Sequence, residues 1–283
     1  MLIQSPIAWV GDRLNQARHT VGSAPLDEYW PAEAAHPARP HVRRIRTADL
    51  WIALDRGVQD FAANRTDVVF LCVIYPLAGL ILASLASGYG VVPLIFPLAS
   101  GFALVGPLAA IGLNEMSRRR EQGAEVRWVD AFHVLRAPSI GAIAGLGLLL
   151  VAIFLLWLLT AQGLYDVTLG PKPPVSAAAF AHDVVATWRG WVMIAAGVGI
   201  GFVFAVVVLS ISVVSFPLLL DHNVRLETAI GTSVRAVRRN KRIMALWGLI
   251  VAAGLVLGSL PALLGLVVVM PVLGHATWHL YRR

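Results

Sequence analysis

Charge is what this sequence has least of. Only 14% of its 283 residues are Asp, Glu, Lys or Arg, against about 25% in an ordinary soluble domain. Hydrophobic residues make up 58%, and the mean hydropathy is +0.73. A soluble chain so composed would have too little polar surface to present to water, which excludes a cytosolic globular enzyme. Lysine is nearly missing: of 23 basic residues only Lys172 and Lys241 are lysines, and with abundant Ala and Gly this points to a GC-rich bacterial genome. The single cysteine, Cys72, lies in an apolar run, so no internal disulfide is available and the thiol reads as a packing residue. The first twenty residues hold no base before Arg13 and only a short apolar patch, Ile7–Val10. That is no secretory signal, so the first membrane span is expected to direct insertion. Also missing are a Gly-rich phosphate loop, a nucleophile elbow, a zinc-protease helix and a paired-cysteine site, which leaves catalysis without a recognisable motif.

What is present is long uncharged runs. Six segments, 68–87, 91–113, 140–161, 190–220, 243–260 and 261–281, contain 135 residues without one charged side chain, and the remaining 148 carry all 39 charges. A helix needs about 20 residues to cross the hydrocarbon core. The first three runs and the fifth fit that length; the fourth must tilt or extend past the bilayer near Pro217. The last two are continuous, and Gly258-Ser259-Leu260-Pro261 supplies a turn between them. The expected fold is therefore all-α: a polytopic bundle of six transmembrane helices over residues 42–283, preceded by an amphipathic stretch and flexible tail over 1–41. With both termini cytoplasmic, 21 of the 23 basic residues fall inside and only Lys172 and Arg189 outside, the positive-inside arrangement. The net charge of +7, which in a soluble chain would suggest nucleic acid, reads here as a topology signal, with anionic lipid headgroups as the cytoplasmic partner.

The cytoplasmic connections have helical periodicity. One begins near Thr47 with Leu50, Leu54, Val58 and Phe61 on a face; one spans Arg127–Arg136 with Trp128, Phe132 and Leu135; one spans Asn223–Asn240 with Leu226, Ile230, Val234 and Val237. Each starts near an acid, Asp49, Asp130 or Glu227, and basic amphipathic helices of this kind lie in the membrane interface. The even-numbered spans carry Pro107, Pro217 and Pro271 near their cytoplasmic ends, where each proline should free a carbonyl and kink its helix. Interfacial helix, span, outer turn and proline-bearing span thus read as three repeated hairpin units. Gly141 with Gly145, Gly197 with Gly201, and Gly254 with Gly258 form small-residue faces for helix packing, within the chain or between copies.

His275 and His279, four apart on one helical face, are the weak candidates for a haem or metal site. With no carboxylate within a turn, they read first as interfacial anchors beside Trp278, Tyr281 and Arg282. Asp221-His222 reads as a helix end or as a partner for nearby arginines. Arg118, Arg119 and Arg120, and Arg238, Arg239, Lys241 and Arg242, are the lipid-headgroup candidates, with topology determination as their simpler role. No charged residue falls inside a span, which disfavours an ion-coupled pump or transporter. No catalytic residue, metal or cofactor is assigned.

Val42-Arg-Arg-Ile, Gly106-Pro-Leu-Ala-Ala with Glu115 and Ser117-Arg-Arg-Arg, Ser215-Phe-Pro-Leu-Leu-Leu-Asp221, and Gly274-His-Ala-Thr-Trp-His-Leu-Tyr-Arg282 resemble the bacterial integral-membrane family catalogued as domain of unknown function 2189. The resemblance covers roughly residues 42–283 and implies a multi-span inner-membrane protein without an assigned activity. Together these readings lead to a non-enzymatic structural, assembly or interaction factor of the cell envelope, acting as a homo-oligomer or with a membrane-protein partner. The alternatives are a passive facilitator for a small neutral or lipidic solute and, below it, a haem or metal protein using His275 and His279.

Overall fold

The computed structural model of the protein describes residues 40–63, Ser84, 92–261 and 263–283. The expected N-terminal stretch, up to residue 39, and the expected first span, Ser84 apart, lie outside the described residues. Among those described, all regular structure is helical. Helix α1 covers Thr47–Ala63; α2, Ile95–Ala109, leads into α3, Ile111–Glu121; a 3-10 helix follows at Trp128–Arg136. Then come α4 (Ile140–Thr168), α5 (Ala177–Ala186), α6 (Trp188–Ser212), α7 (Ser215–Asp221), α8 (Leu226–Arg239), α9 (Lys241–Ser259) and α10 (Leu266–Tyr281).

The local causes are visible in the sequence. Asp49 accepts the Arg46 N–H at 2.7 Å ahead of α1, and Asp130 accepts the Arg127 N–H at 2.8 Å ahead of the 3-10 helix, so two of the three expected first-turn acids cap their helices. Ser176 accepts from Ala179 N–H at 3.1 Å and Thr187 from Gly190 N–H at 3.0 Å, starting α5 and α6. Helix α4 runs seven residues past its expected end, to Thr168, and stops where Gly170 takes φ +105°. Helix α5 forms inside what reads in sequence as an outer loop.

The three prolines do not act alike. Pro217 sits in the first turn of α7, where its missing N–H costs nothing, and the chain breaks at Val213 and Val214 just before it. Pro107 stands two residues from the end of α2, and α3 starts after Ala110. Pro271 lies within an uninterrupted α10. The last hairpin also differs from expectation: Leu263 adopts φ +68° and α10 starts at Leu266, five residues later than the run suggested. Its turn is tight enough that a Cβ on Gly265 would stand 2.7 Å from the Gly258 carbonyl oxygen.

Four described helical stretches are long and apolar enough to cross a membrane: Val92–Glu121, Ile140–Thr168, Trp188–Asp221 and Lys241–Ser259. Helix α10, with 16 residues, is about 24 Å long, less than a full crossing takes. Much of the core lies where the charged connections meet the spans, and it continues along α4 through Leu150 to Trp157. One cluster joins Ile111, Leu146, Phe216, Leu218, Leu219 and Trp278. A second joins Leu50, Ala53, Met244, Trp247, Leu273 and Ala276. The opposite halves of the spans expose Leu155, Leu156, Leu159, Phe202, Val203 and Leu257. An apolar surface of this extent is stable only where lipid replaces water.

Two glycine faces pack within the chain. Cβ positions built on Gly197 and Gly201 meet Leu164 and Trp157, and those on Gly254 and Gly258 meet Val269; of the remaining pair, Gly145 meets Leu226 while Gly141 faces open space.

Candidate functional site

Helices α1, α3 and α10 meet around a polar junction closed from solvent. Asp60 from α1, Ser117 from α3, and His275 and His279 from α10 are all buried, His275 and Ser117 to 1% exposure. The sequence explains the approach. Leu50, Ala53, Gly57 and Asp60 recur at helical spacing and form the buried face of α1. Gly57 allows contact so close that a Cβ there would lie 2.7 Å from the Val272 carbonyl oxygen and 2.8 Å from the Ala276 methyl. One turn further on, the crossing brings Asp60 against His279.

The hydrogen bonds can be assigned from valence. Asp60 Oδ2 lies 2.6 Å from Ser117 Oγ and 2.8 Å from His279 Nε2. A carboxylate only accepts, so both partners donate to it. With the Ser117 proton so engaged, the 2.8 Å contact between Ser117 Oγ and His275 Nδ1 has the imidazole as donor. His275 Nε2 and His279 Nδ1 are also buried; His275 lies against the Leu113 backbone, and His279 Nδ1 has no hydrogen-bond partner among the described residues. Burial acts to raise the Asp60 carboxyl, but the hydrogen bonds from His279 and Ser117 and the electrostatic contact with both imidazoles hold it below its ordinary 3.8.

Around this junction almost every charge of α3 is paired. Glu115, 2% exposed, accepts from Arg118 Nε at 2.7 Å and Arg119 Nε at 2.8 Å. Arg119 also reaches Asp130 at 3.1 Å. Arg120 lies 3.4 Å from Asp60 Oδ1 and donates to the Gln59 carbonyl at 3.0 Å. Glu121 accepts from Trp278 Nε1 at 3.0 Å and Arg282 Nε at 3.2 Å. Asp221 closes α7, accepts from Tyr281 OH at 2.9 Å, and pairs with Arg282 at 3.3 Å. A run of three arginines that suggests headgroup contact is thus turned onto Glu115, Asp130 and Asp60. Arg238, Arg239, Lys241 and Arg242 are exposed, and among the described residues they form no ion pair.

The histidines of the sequence reading are therefore not displayed beside the aromatic residues at an interface; they are internal and hydrogen-bonded. Among the described residues no group of three or more His, Cys, Asp or Glu is arranged to hold a metal ion. Sequence reasoning overlooked Asp60 and gave Ser117 and Glu115 no role beyond the family motif. The available signal was an acid at the fourth position of the 50-53-57-60 series, where a solvated face would not place it.

Comparison with known proteins adds one finding. The family model described as Predicted integral membrane protein (DUF2189) matches residues 95–221, which includes the Gly106 and Ser215 motifs and ends before the Gly274–Arg282 segment. No curated protein and no solved structure shows a significant match to the chain. Residues 95–221, which hold the Ile140–Thr168 and Trp188–Asp221 stretches whole and Val92–Glu121 in part, are thus similar to the family described as predicted integral membrane protein (DUF2189).

Proposed function

We propose that this integral membrane protein is a non-enzymatic interaction factor of the bacterial inner membrane, with both termini and the basic connections in the cytoplasm. The observation that carries this reading is the mutual engagement of the buried polar groups. Asp60, Ser117, Glu115, Glu121 and Asp221 are each held by partners within the chain, an arrangement suited to fixing α1 against α10 rather than to turning over a substrate. Among the surfaces available for contact in the described residues are the apolar flank of α4 and α6 and the exposed bases around α8 and α9. The flank fits lipid or a second membrane protein, since helix association in a bilayer proceeds by close packing.

The test is in-membrane photo-crosslinking from Leu159 and Phe202, both exposed on that flank, followed by protein-level mass analysis. A discrete crosslinked product, either a second copy or another membrane protein, is the expected outcome. Crosslinks to lipid alone, together with a monomeric native mass, would count against the reading. The facilitator reading draws on the helix interruptions beside Pro107 and Pro217; reconstituted protein that leaves glycerol flux into vesicles unchanged would remove it.

A further inference from the structure

We propose that Asn240 clamps two distant basic segments into one binding site for the phosphate of an anionic phospholipid headgroup. Asn240 is at the corner between α8 and α9 and is 8% exposed. Its side chain accepts the Ile45 N–H at 3.0 Å through Oδ1 and donates to the Arg43 carbonyl at 3.0 Å through Nδ2. That two-point grip fixes the backbone of residues 43–45 against the corner, across a separation of 195 residues in sequence. The segment carries Arg43, Arg44 and Arg46; the corner carries Arg238, Arg239, Lys241 and Arg242. All seven side chains are exposed, and among the described residues none forms an ion pair. The nearest acid in sequence, Asp49, accepts the backbone N–H of Arg46. Seven like charges gathered by a buried amide repel one another unless an anion sits among them.

The position of the cluster selects a lipid. Lys241 is the first residue of α9, a helix of membrane-crossing length, so the charges stand at the plane where that span begins. The 43–46 segment passes directly into α1, which exposes Trp51 to 64% and Ile52 to 38%. Bases beside exposed apolar groups at a span's end match the headgroup layer, where phosphate and acyl chain are within one reach. This inference deepens the proposed cytoplasmic placement and depends on it, while the protein-partner test is read from different masses.

The experiment is native mass spectrometry of the full chain in detergent, titrated with phosphatidylglycerol and, separately, phosphatidylcholine of the same acyl chains. Wild-type protein is expected to retain phosphatidylglycerol preferentially. The pairs Arg43→Gln with Arg44→Gln, and Arg238→Gln with Arg239→Gln, should each lower that preference on the order of tenfold. Arg136→Gln, which removes an exposed base from the 3-10 helix, should leave it unchanged. Asn240→Ala keeps all seven charges and should lose the preference as the arginine pairs do; if that variant does not fold, the charge pairs still decide. Equal retention of the two lipids by wild type overturns the proposal. So does an unchanged preference in the Arg43/Arg44 variant, which would leave a one-segment site. Displacement of bound lipid by polyglutamate, with no difference between the two lipids, would assign the surface to an acidic protein and overturn it as well.

Discussion

Asp60 receives two hydrogen bonds on one oxygen and faces Arg120 across the other, so different replacements should cost different amounts. Asp60→Ala leaves the Ser117 hydroxyl and the His279 imidazole buried without their acceptor. Leaving a buried donor unsatisfied costs about 1–3 kcal/mol for each group, and a loss of that order for each is expected in detergent-solubilised unfolding. Asp60→Asn keeps a carbonyl acceptor and should lose about 1–2 kcal/mol. The same carboxyl predicts an acid response. Its folded-state pKa is held below the ordinary 3.8, so its contribution is complete above that value and disappears as pH falls through the lower folded value. Melting temperatures measured from pH 6 down to pH 3 should decline less steeply in Asp60→Asn than in wild type. Parallel curves would mean that Asp60 is not the group responsible.

Docking of α1 onto α10 depends on small residues. The face read from the sequence was Leu50, Leu54, Val58 and Phe61; the buried one is Leu50, Ala53, Gly57 and Asp60, and Val58 is half exposed. Helical period fixes which faces exist, but the partner selects among them. Here Ala276 and the Val272 backbone come so near that only small side chains fit. That selection cannot be read locally, nor can the pairing of Asp60 with His279, 219 residues apart. By contrast, Glu115 with Arg118 and Arg119 follows the i,i+3 and i,i+4 rule and was there to be found. The apolar runs were legible for the same reason: length and lack of charge need no partner to interpret. Gly57→Leu should therefore release α1 and open its backbone to proteolysis near Ala63, whereas Gly163→Ala, where a Cβ meets nothing within 4 Å, should be neutral or stabilising by up to about 1 kcal/mol. Equal protease resistance in both variants would show that the close crossing does not hold α1 in place.

At the scale of the whole molecule, the described candidate spans leave most of their apolar surface exposed. Between 6% and 28% of the most apolar window in each candidate span is buried, while the charged connections converge on a dense polar junction. The proposed orientation puts 21 of the 23 basic residues on the cytoplasmic side. Two positions separate the alternatives. Val175, fully exposed between α4 and α5, belongs to the connection holding Lys172 and Arg189. Ala124, exposed after α3, belongs to the connection holding Arg118 to Arg136. With Cys72 replaced by Ala, a cysteine placed at Val175 should react with a membrane-impermeant maleimide on cells whose outer membrane has been opened. A cysteine at Ala124 should react only after the inner membrane is broken. If both label before lysis, α4 does not cross, since it is the only candidate span between the two positions. If the pattern is reversed, the basic face is external, and the lipid it meets belongs to the outer leaflet.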